Sequence, residues 1–207
     1  MNKFSSISES GNVRASRAKP WSIMAEITEA TSIEELAVII SEALEAAGIT
    51  ATLSGGGAVS IYSHNQYMSH DLDFVTSADP KSLLKAIAPL GFVQGSTKRL
   101  YEHPRTTWLV EFPAGPLAFG DLYIGDPRSI DSLLTVHGSL RVITPTLCVI
   151  DRLAAYFHHC DRQCWDQAVM VCRSHSIDWD AIISWAENER PEFKEVERLR
   201  AEADSPA

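Results

Sequence analysis

The alternation of apolar and polar positions separates this chain into two regimes. From residue 31 to about 112 helical and strand periods alternate, and from Thr144 onward the period is helical throughout. The first helix starts at Thr31, where Thr31 and Glu34 have the spacing of a capping box, and Leu36, Ile40, Ala43, Leu44 and Ala47 supply its apolar face. Gly48 provides the left-handed stop. A short strand over 49–54 runs into Gly55-Gly56-Gly57, and a short helix is expected from about Ala58 to Ser63. Residues 71–76 read as a strand. Asp79 and Pro80 are placed as N-cap and first position of a helix that buries Leu83, Leu84, Ile87 and Leu90, with Lys81 and Lys85 on its wet side. Two further strands, 98–103 and 106–112, flank a tight connection at His103-Pro104-Arg105. The order α, β, α, β, α, β, β predicts an α/β fold, a mixed sheet backed by helices.

Thr144 and Pro145 open the helical part, with Ile150, Leu153, Ala154 and Phe157 on the apolar face of its first helix. A second helix is expected over about 162–173 and a third from near Asp178. The stretch from Glu187 carries seven acids and four bases and reads as a solvated helix. The division that follows is a flexible arm (1–20), an α/β domain (21–143) opening at Trp21, Ile23 and Met24, and a C-terminal helical subdomain (144–207). The arm is polar, with four bases against one acid, and a role in touching nucleic acid is its sharper alternative.

Composition narrows the function classes. Of 207 residues, 18 are Lys or Arg and 27 are Asp or Glu, a net charge of −9, which argues against broad binding to nucleic acid while leaving room for a local basic patch. No apolar run is long enough to span a bilayer, and no charged-then-apolar leader pattern opens the chain, so the expectation is a cytoplasmic protein with no membrane partner. The four cysteines all lie between Cys148 and Cys172 and do not form a secreted disulfide framework.

Candidate chemistry begins at Asp71-Leu72-Asp73-Phe74-Val75. Residues two apart in a strand share a face, so Asp71 and Asp73 project together, about 7 Å apart along the backbone, while Leu72 and Phe74 point into the core. Two like charges on one face repel, and a hard divalent cation such as Mg²⁺ removes that repulsion. The bland alternative is a pair of solvated acids. Ser54-Gly55-Gly56-Gly57, with thirteen residues between Gly57 and Asp71, sits where backbone N–H groups at a helix start attract phosphate, although a simple tight turn has the same composition. No Gly-Lys-Ser/Thr follows it, and the G-x-G-x-x-G spacing is absent, so it is neither a P-loop nor a dinucleotide fingerprint. In 107–112, Trp108, Val110 and Phe112 take one face and Glu111 the other. An acid within so apolar a strand either lies at a wet sheet edge or has a partner. If this strand pairs beside 71–75, three carboxylates converge, a set that can hold two Mg²⁺ ions.

The Gly-Gly run, the short helix, the D-x-D strand and the later strand carboxylate together resemble the nucleotidyltransferase superfamily of the polymerase-beta type. The phrase S-H-D-L-D-F-V and the segment D-R-L-A-A-Y-F…D-R-Q-C-W-D-Q-A resemble its minimal, AbiEii-like members found in prokaryotic toxin–antitoxin systems. The resemblance spans roughly residues 31–175. It implies Mg²⁺-dependent transfer of an NMP from an NTP to an RNA (tRNA) or protein acceptor, with a cognate toxin or antitoxin protein as partner. It assigns the metal and the catalysis to Asp71, Asp73 and Glu111, and the triphosphate to Ser54, Gly55, Gly56 and Gly57. Two departures stand out. The third carboxylate is Glu rather than the frequent Asp, and Ala58 follows the glycines where some branches carry a base. Charge for the triphosphate then falls to Lys98, Arg99, Arg152 and Arg162, each of which also reads as an ordinary surface base. Asp161 and Arg162 are further nucleotide contacts implied by the resemblance, with capping and local ion pairing as the plainer reading. These departures keep open a catalytically degenerate member that works as a binding module.

His158, His159, Cys160, Cys164, Cys172 and His175 form a second constellation. Zinc is one reading, and would make the chain a zinc-stabilised interaction protein. Packing of Cys164 and Cys172 on a buried helical stripe is favoured. Trp165, Trp179 and Trp185 are read as helix packing rather than base stacking.

Overall fold

A computed structural model describes residues 26–159, 161–189 and 193–205. The arm at 1–20, the expected start of the body at Trp21, Ile23 and Met24, and Cys160 lie outside these residues, as does the side chain of His159.

Helix α1 (Ile33–Ala46) is capped one residue later than the sequence pattern suggests. The Ser32 hydroxyl accepts the Glu35 N–H at 3.1 Å, while the Thr31 hydroxyl accepts the Thr28 N–H in the preceding turn. Both Thr31-x-x-Glu34 and Ser32-x-x-Glu35 fit a capping box, and the turn bond of Thr31 decides between them. Gly48 is left-handed, as expected, at φ +73°. Strand β1 (Thr52–Ser54) leads directly into helix α2 (Gly55–Tyr62). The three glycines are therefore the first turn of α2, not a loop before it. Strand β2 (Asp71–Val75) and helix α3 (Pro80–Ile87) follow, the latter capped as predicted by the Asp79 carboxylate on the Lys81 and Ser82 N–H groups.

Strands β3 (Val93–Gln94), β4 (Leu100–Glu102) and β5 (Leu109–Glu111) complete a five-stranded sheet of order β1-β2-β5-β4-β3. Only β2 and β5 are parallel; the other pairs are antiparallel. The sheet is mixed and backed by helices, as the element order predicts. Leu53, Leu72, Phe74, Tyr101 and Val110 are buried on its core face. Residues 113–143, which carry no clear period, form two hairpins, β6 (Ala118–Phe119) with β7 (Leu122–Tyr123) and β8 (Leu133–Thr135) with β9 (Gly138–Leu140). Beyond them, Val142 makes a parallel bridge to Leu53, which delivers the chain to the helical half beside the strand that starts α2.

That half comprises α4 (Pro145–His159), α5 (Arg162–Ser174), α6 (Trp179–Glu189) and α7 (Phe193–Asp204). The acidic last helix is not simply solvated. Val196 and Leu199 are buried, the Trp165 indole donates to Glu202 at 2.9 Å, and Arg198 stacks on the Trp165 ring. Its charges occupy the outer face of an amphipathic helix. Trp165 and Trp185 are buried, the latter donating to the Phe119 carbonyl at 3.0 Å, and Trp179 lies under Arg200. One hydrophobic cluster runs from α1 through the sheet to α7. No helix among the described residues is long and apolar enough to cross a membrane.

Candidate active site

The parallel pairing of β2 with β5 places Asp71 opposite Leu109 and Asp73 opposite Glu111. Strand alternation buries Leu72, Phe74 and Val110 and turns the three acids to the other face, where each is half-buried. One carboxylate oxygen from each of Asp71, Asp73 and Glu111 lies within 4.8 Å of the others, and this is the only such grouping of His, Cys, Asp and Glu found among the described residues.

Electrostatics set this cluster apart from a solvated acidic patch. Burial, and then the negative charges of Asp71 and Glu111, push the Asp73 carboxyl from 3.8 to about 7, against the pull of Arg152. A hard cation among three carboxylate oxygens relieves both causes at once, so the donor set fits Mg²⁺. The Ser69 hydroxyl, buried, donates to Asp71 Oδ1 at 2.7 Å and fixes that carboxylate; its N–H in turn donates to Ser60 Oγ, which bonds the Gly56 carbonyl. Ser69 is thus a tie between the acids and the glycine helix. Ser69 opens the S-H-D-L-D-F-V phrase, although nothing in the sequence marked it as the partner of Asp71.

The glycines stand against this cluster for distinct steric reasons. At Gly55, φ is +64° and a Cβ would meet Asp73 Oδ2 at 2.6 Å, so the backbone itself touches the acid. At Gly56 a Cβ would lie 2.8 Å from Ser69 Oγ and 3.3 Å from the Tyr67 hydroxyl. Gly57 instead lets α2 sit on the sheet, since a Cβ there would crowd Leu53 and Leu72. Ser54 is buried at the head of α2 and makes no side-chain cap. The first-turn N–H groups of α2, which have no intrahelical partners, begin at the acids.

The expected cations are dispersed. Arg99 donates to the carbonyls of Phe112 at 2.8 Å and Ala78 at 3.2 Å, Lys98 is exposed, and Arg162 is exposed at the start of α5. Asp161 is exposed and caps α5, accepting the Gln163 N–H at 3.0 Å, which is the plainer of its two readings. Arg152 is the base that reaches the site. It pairs with Asp151 at 2.8 Å, and Asp151 Oδ2 accepts the Gly55 N–H at 3.0 Å. Asp151 opens the quoted D-R-L-A-A-Y-F segment but was given no role at the site by the sequence reading. The signal available was an adjacent Asp-Arg pair interrupting the apolar face of α4.

The His/Cys constellation does not assemble among the described residues. His158 pairs with Glu189, His175 bonds the Tyr62 carbonyl, and the Cys164 and Cys172 thiols are pushed by burial up to about 11 and about 12. They are packed thiols, as the helical stripe predicts. Two surface cavities, of about 690 and 900 Å³, are lined by none of the three acids.

Two solved structures are similar over nearly all their length. An antigenic nucleotidyltransferase-like protein from Paracoccidioides brasiliensis matches with TM-score 0.54 at 14% identity, over 84% of this chain and 94% of its own. The antibiotic-resistance factor ANT(2'')-Ia matches in its solution structure with TM-score 0.50 at 13% identity, over 84% and 99%. No family model and no curated protein matches the sequence. At these identities the likeness speaks for architecture, and with the mixed sheet it shows that the chain has a nucleotidyltransferase-like fold.

Proposed function

We propose that the chain is a Mg²⁺-dependent nucleotidyltransferase that moves an NMP from an NTP to a hydroxyl of an RNA, such as tRNA, or of a protein. The observation that carries this is the convergence of Asp71, Asp73 and Glu111 at the first turn of α2, on a nucleotidyltransferase-like fold. Asp71 and Asp73, with Glu111, hold the metal, which supplies neutralising charge for the leaving pyrophosphate and acidifies the attacking hydroxyl when bound. The N–H groups of Gly55 and Gly56 face the triphosphate. The acceptor oxygen bonds to the α-phosphorus, the bond from that phosphorus to the bridging oxygen of the β-phosphate breaks, pyrophosphate leaves, and Glu111 takes the acceptor proton. The net charge of −9 suits a locally held acceptor better than a long nucleic acid. The S-H-D-L-D-F-V phrase supports an AbiEii-like role in a toxin–antitoxin or defence pair.

The test supplies each of the four α-labelled NTPs with Mg²⁺ to the wild type and to Asp71→Ala/Asp73→Ala, with total tRNA or cell lysate. Label on RNA or protein with the wild type alone supports the reading and names base and acceptor class. Mg²⁺-dependent NTP binding without transfer, lost in the double variant, would leave an enzyme lacking its acceptor or partner, and neither binding nor transfer would favour the degenerate binding module.

A further inference from the structure

Inside the apolar helix α4, the pair Asp151–Arg152 is an expensive thing to bury, with side chains 18% and 13% exposed. The pair does not serve α4 itself. Asp151 Oδ2 reaches across to the Gly55 N–H, and the Arg152 guanidinium binds that same oxygen through Nη2. Its Nη1 reaches Gln167 Oε1 at 3.2 Å and Cys164 Sγ at 3.7 Å, while its Nε is buried with no partner. A carboxylate oxygen held between a helix-start N–H and a guanidinium has the surroundings that a phosphate oxygen seeks. A Gly55 Cβ would lie 2.6 Å from Asp73 Oδ2, so the backbone that carries this N–H borders the carboxylate cluster.

We propose that Asp151 is an intramolecular stand-in for a nucleotide phosphate: it holds the Gly55 N–H and the Arg152 guanidinium until a triphosphate takes both, and so sets nucleotide affinity. The proposal rests on the nucleotide-binding reading above and adds to it a competitor within the chain. Its charge works in the same direction as its hydrogen bond. With Asp151 in place, a triphosphate approaches four carboxylates, those of residues 71, 73, 111 and 151. With a neutral group there, it approaches three and finds Arg152 without its carboxylate partner. The contact also explains why an acidic residue of the helical half lies against the glycine helix, where a basic one would be expected to serve the nucleotide.

The experiment measures binding of each of the four NTPs with Mg²⁺ by calorimetry, at fixed ionic strength, for the wild type, Asp151→Asn and Asp151→Asn/Arg152→Gln. The Asn variant keeps the volume; Asp151→Ser serves if the amide disturbs folding. Asp151→Asn is expected to bind about tenfold more tightly, the effect of removing one charge-assisted competitor, and the double variant to lose that gain. A wild type that binds nothing beside an Asp151→Asn variant that binds supports the proposal as well, since the carboxylate then blocks the site outright. Binding by the wild type with equal or weaker binding by Asp151→Asn overturns the proposal alone and leaves the nucleotide reading intact. No binding by either protein overturns both. A wild-type measurement needs no variant: tripolyphosphate added to ¹³C-labelled protein shifts the Asp151 carboxyl resonance as its two donors leave. An unmoved resonance at saturating ligand overturns the proposal.

Discussion

Asp73 is the one described carboxyl that this fold holds back from ionising, and the pH dependence of stability is where that shows. Burial and the neighbouring charges of Asp71 and Glu111 raise its carboxyl from 3.8 to about 7. A carboxyl raised in the native state binds its proton more tightly there than in the unfolded chain. Its contribution to stability is therefore whole below the unfolded value and is lost as pH climbs from about 4 through about 7. At 1.36 kcal/mol per unit, the shift of about 3 units sets a ceiling of about 4 kcal/mol, and the half-buried position of the group reduces it. Between pH 5 and pH 8, the metal-free wild type should lose about 2 kcal/mol more stability than Asp73→Asn, which has no proton to release. Urea unfolding in the presence of a chelator, at several pH values, reads the difference directly. Millimolar Mg²⁺ should flatten the wild-type curve at high pH and leave that of Asp73→Asn nearly unmoved, because the cation stabilises the ionised cluster only where the ligands are complete. Parallel curves for the two proteins without metal would refute the reasoning, since they would mean that Asp73 ionises as freely in the fold as out of it.

Other substitutions separate the site from its scaffold. Gly55→Ala combines a left-handed φ with a Cβ pressed onto Asp73, so it should cost about 1–2 kcal/mol in denaturant unfolding and abolish label transfer; retained transfer would remove Gly55 from the site. Ser69→Ala frees Asp71 Oδ1 from its donor and should raise the Mg²⁺ concentration needed for half-maximal transfer several-fold, with a stability loss of about 1 kcal/mol. An effect on stability with no change in the metal requirement would make Ser69 merely structural. Phe74→Ala empties a fully buried position beside Phe112 and should destabilise by about 3–5 kcal/mol, read by thermal or urea unfolding. A loss below 1 kcal/mol would show that the core behind the carboxylate strand packs differently.

Legibility in the sequence followed the length over which a pattern is carried. The D-x-D strand was readable because strand alternation fixes the direction of both acids locally, and Glu111 was readable as an acid inside an apolar strand. Their meeting was conditional, since a register between β2 and β5 is a long-range fact; the parallel pairing of Asp73 with Glu111 supplied it. The glycines were expected to precede a helix starting at about Ala58, with a simple tight turn as the alternative, yet close packing against Leu53 and Leu72 and contact with Asp73 hold them in its first turn. Residues 113–143 gave no period because their hairpins are only two or three residues deep on each side. Asp151 stood in the quoted D-R-L-A-A-Y-F segment, but its role at the site was not readable, for a different reason. Its partner, the Gly55 N–H, is a backbone group 96 residues away, and no side-chain pattern marks a backbone donor. The last helix was misjudged because its charges outnumber its apolar positions, although Val196 and Leu199 suffice to dock it.

The proposed function requires Asp71, Asp73 and Glu111 to form one divalent-cation site serving a nucleotide. Mn²⁺, whose paramagnetism reports its own binding, tests it most directly. Electron paramagnetic resonance titration at pH 8, with and without ATP, should show bound Mn²⁺ in the wild type, tightened by the nucleotide, and none at comparable concentrations in Asp71→Asn/Asp73→Asn. Equal Mn²⁺ binding by the wild type and the double variant would contradict the account.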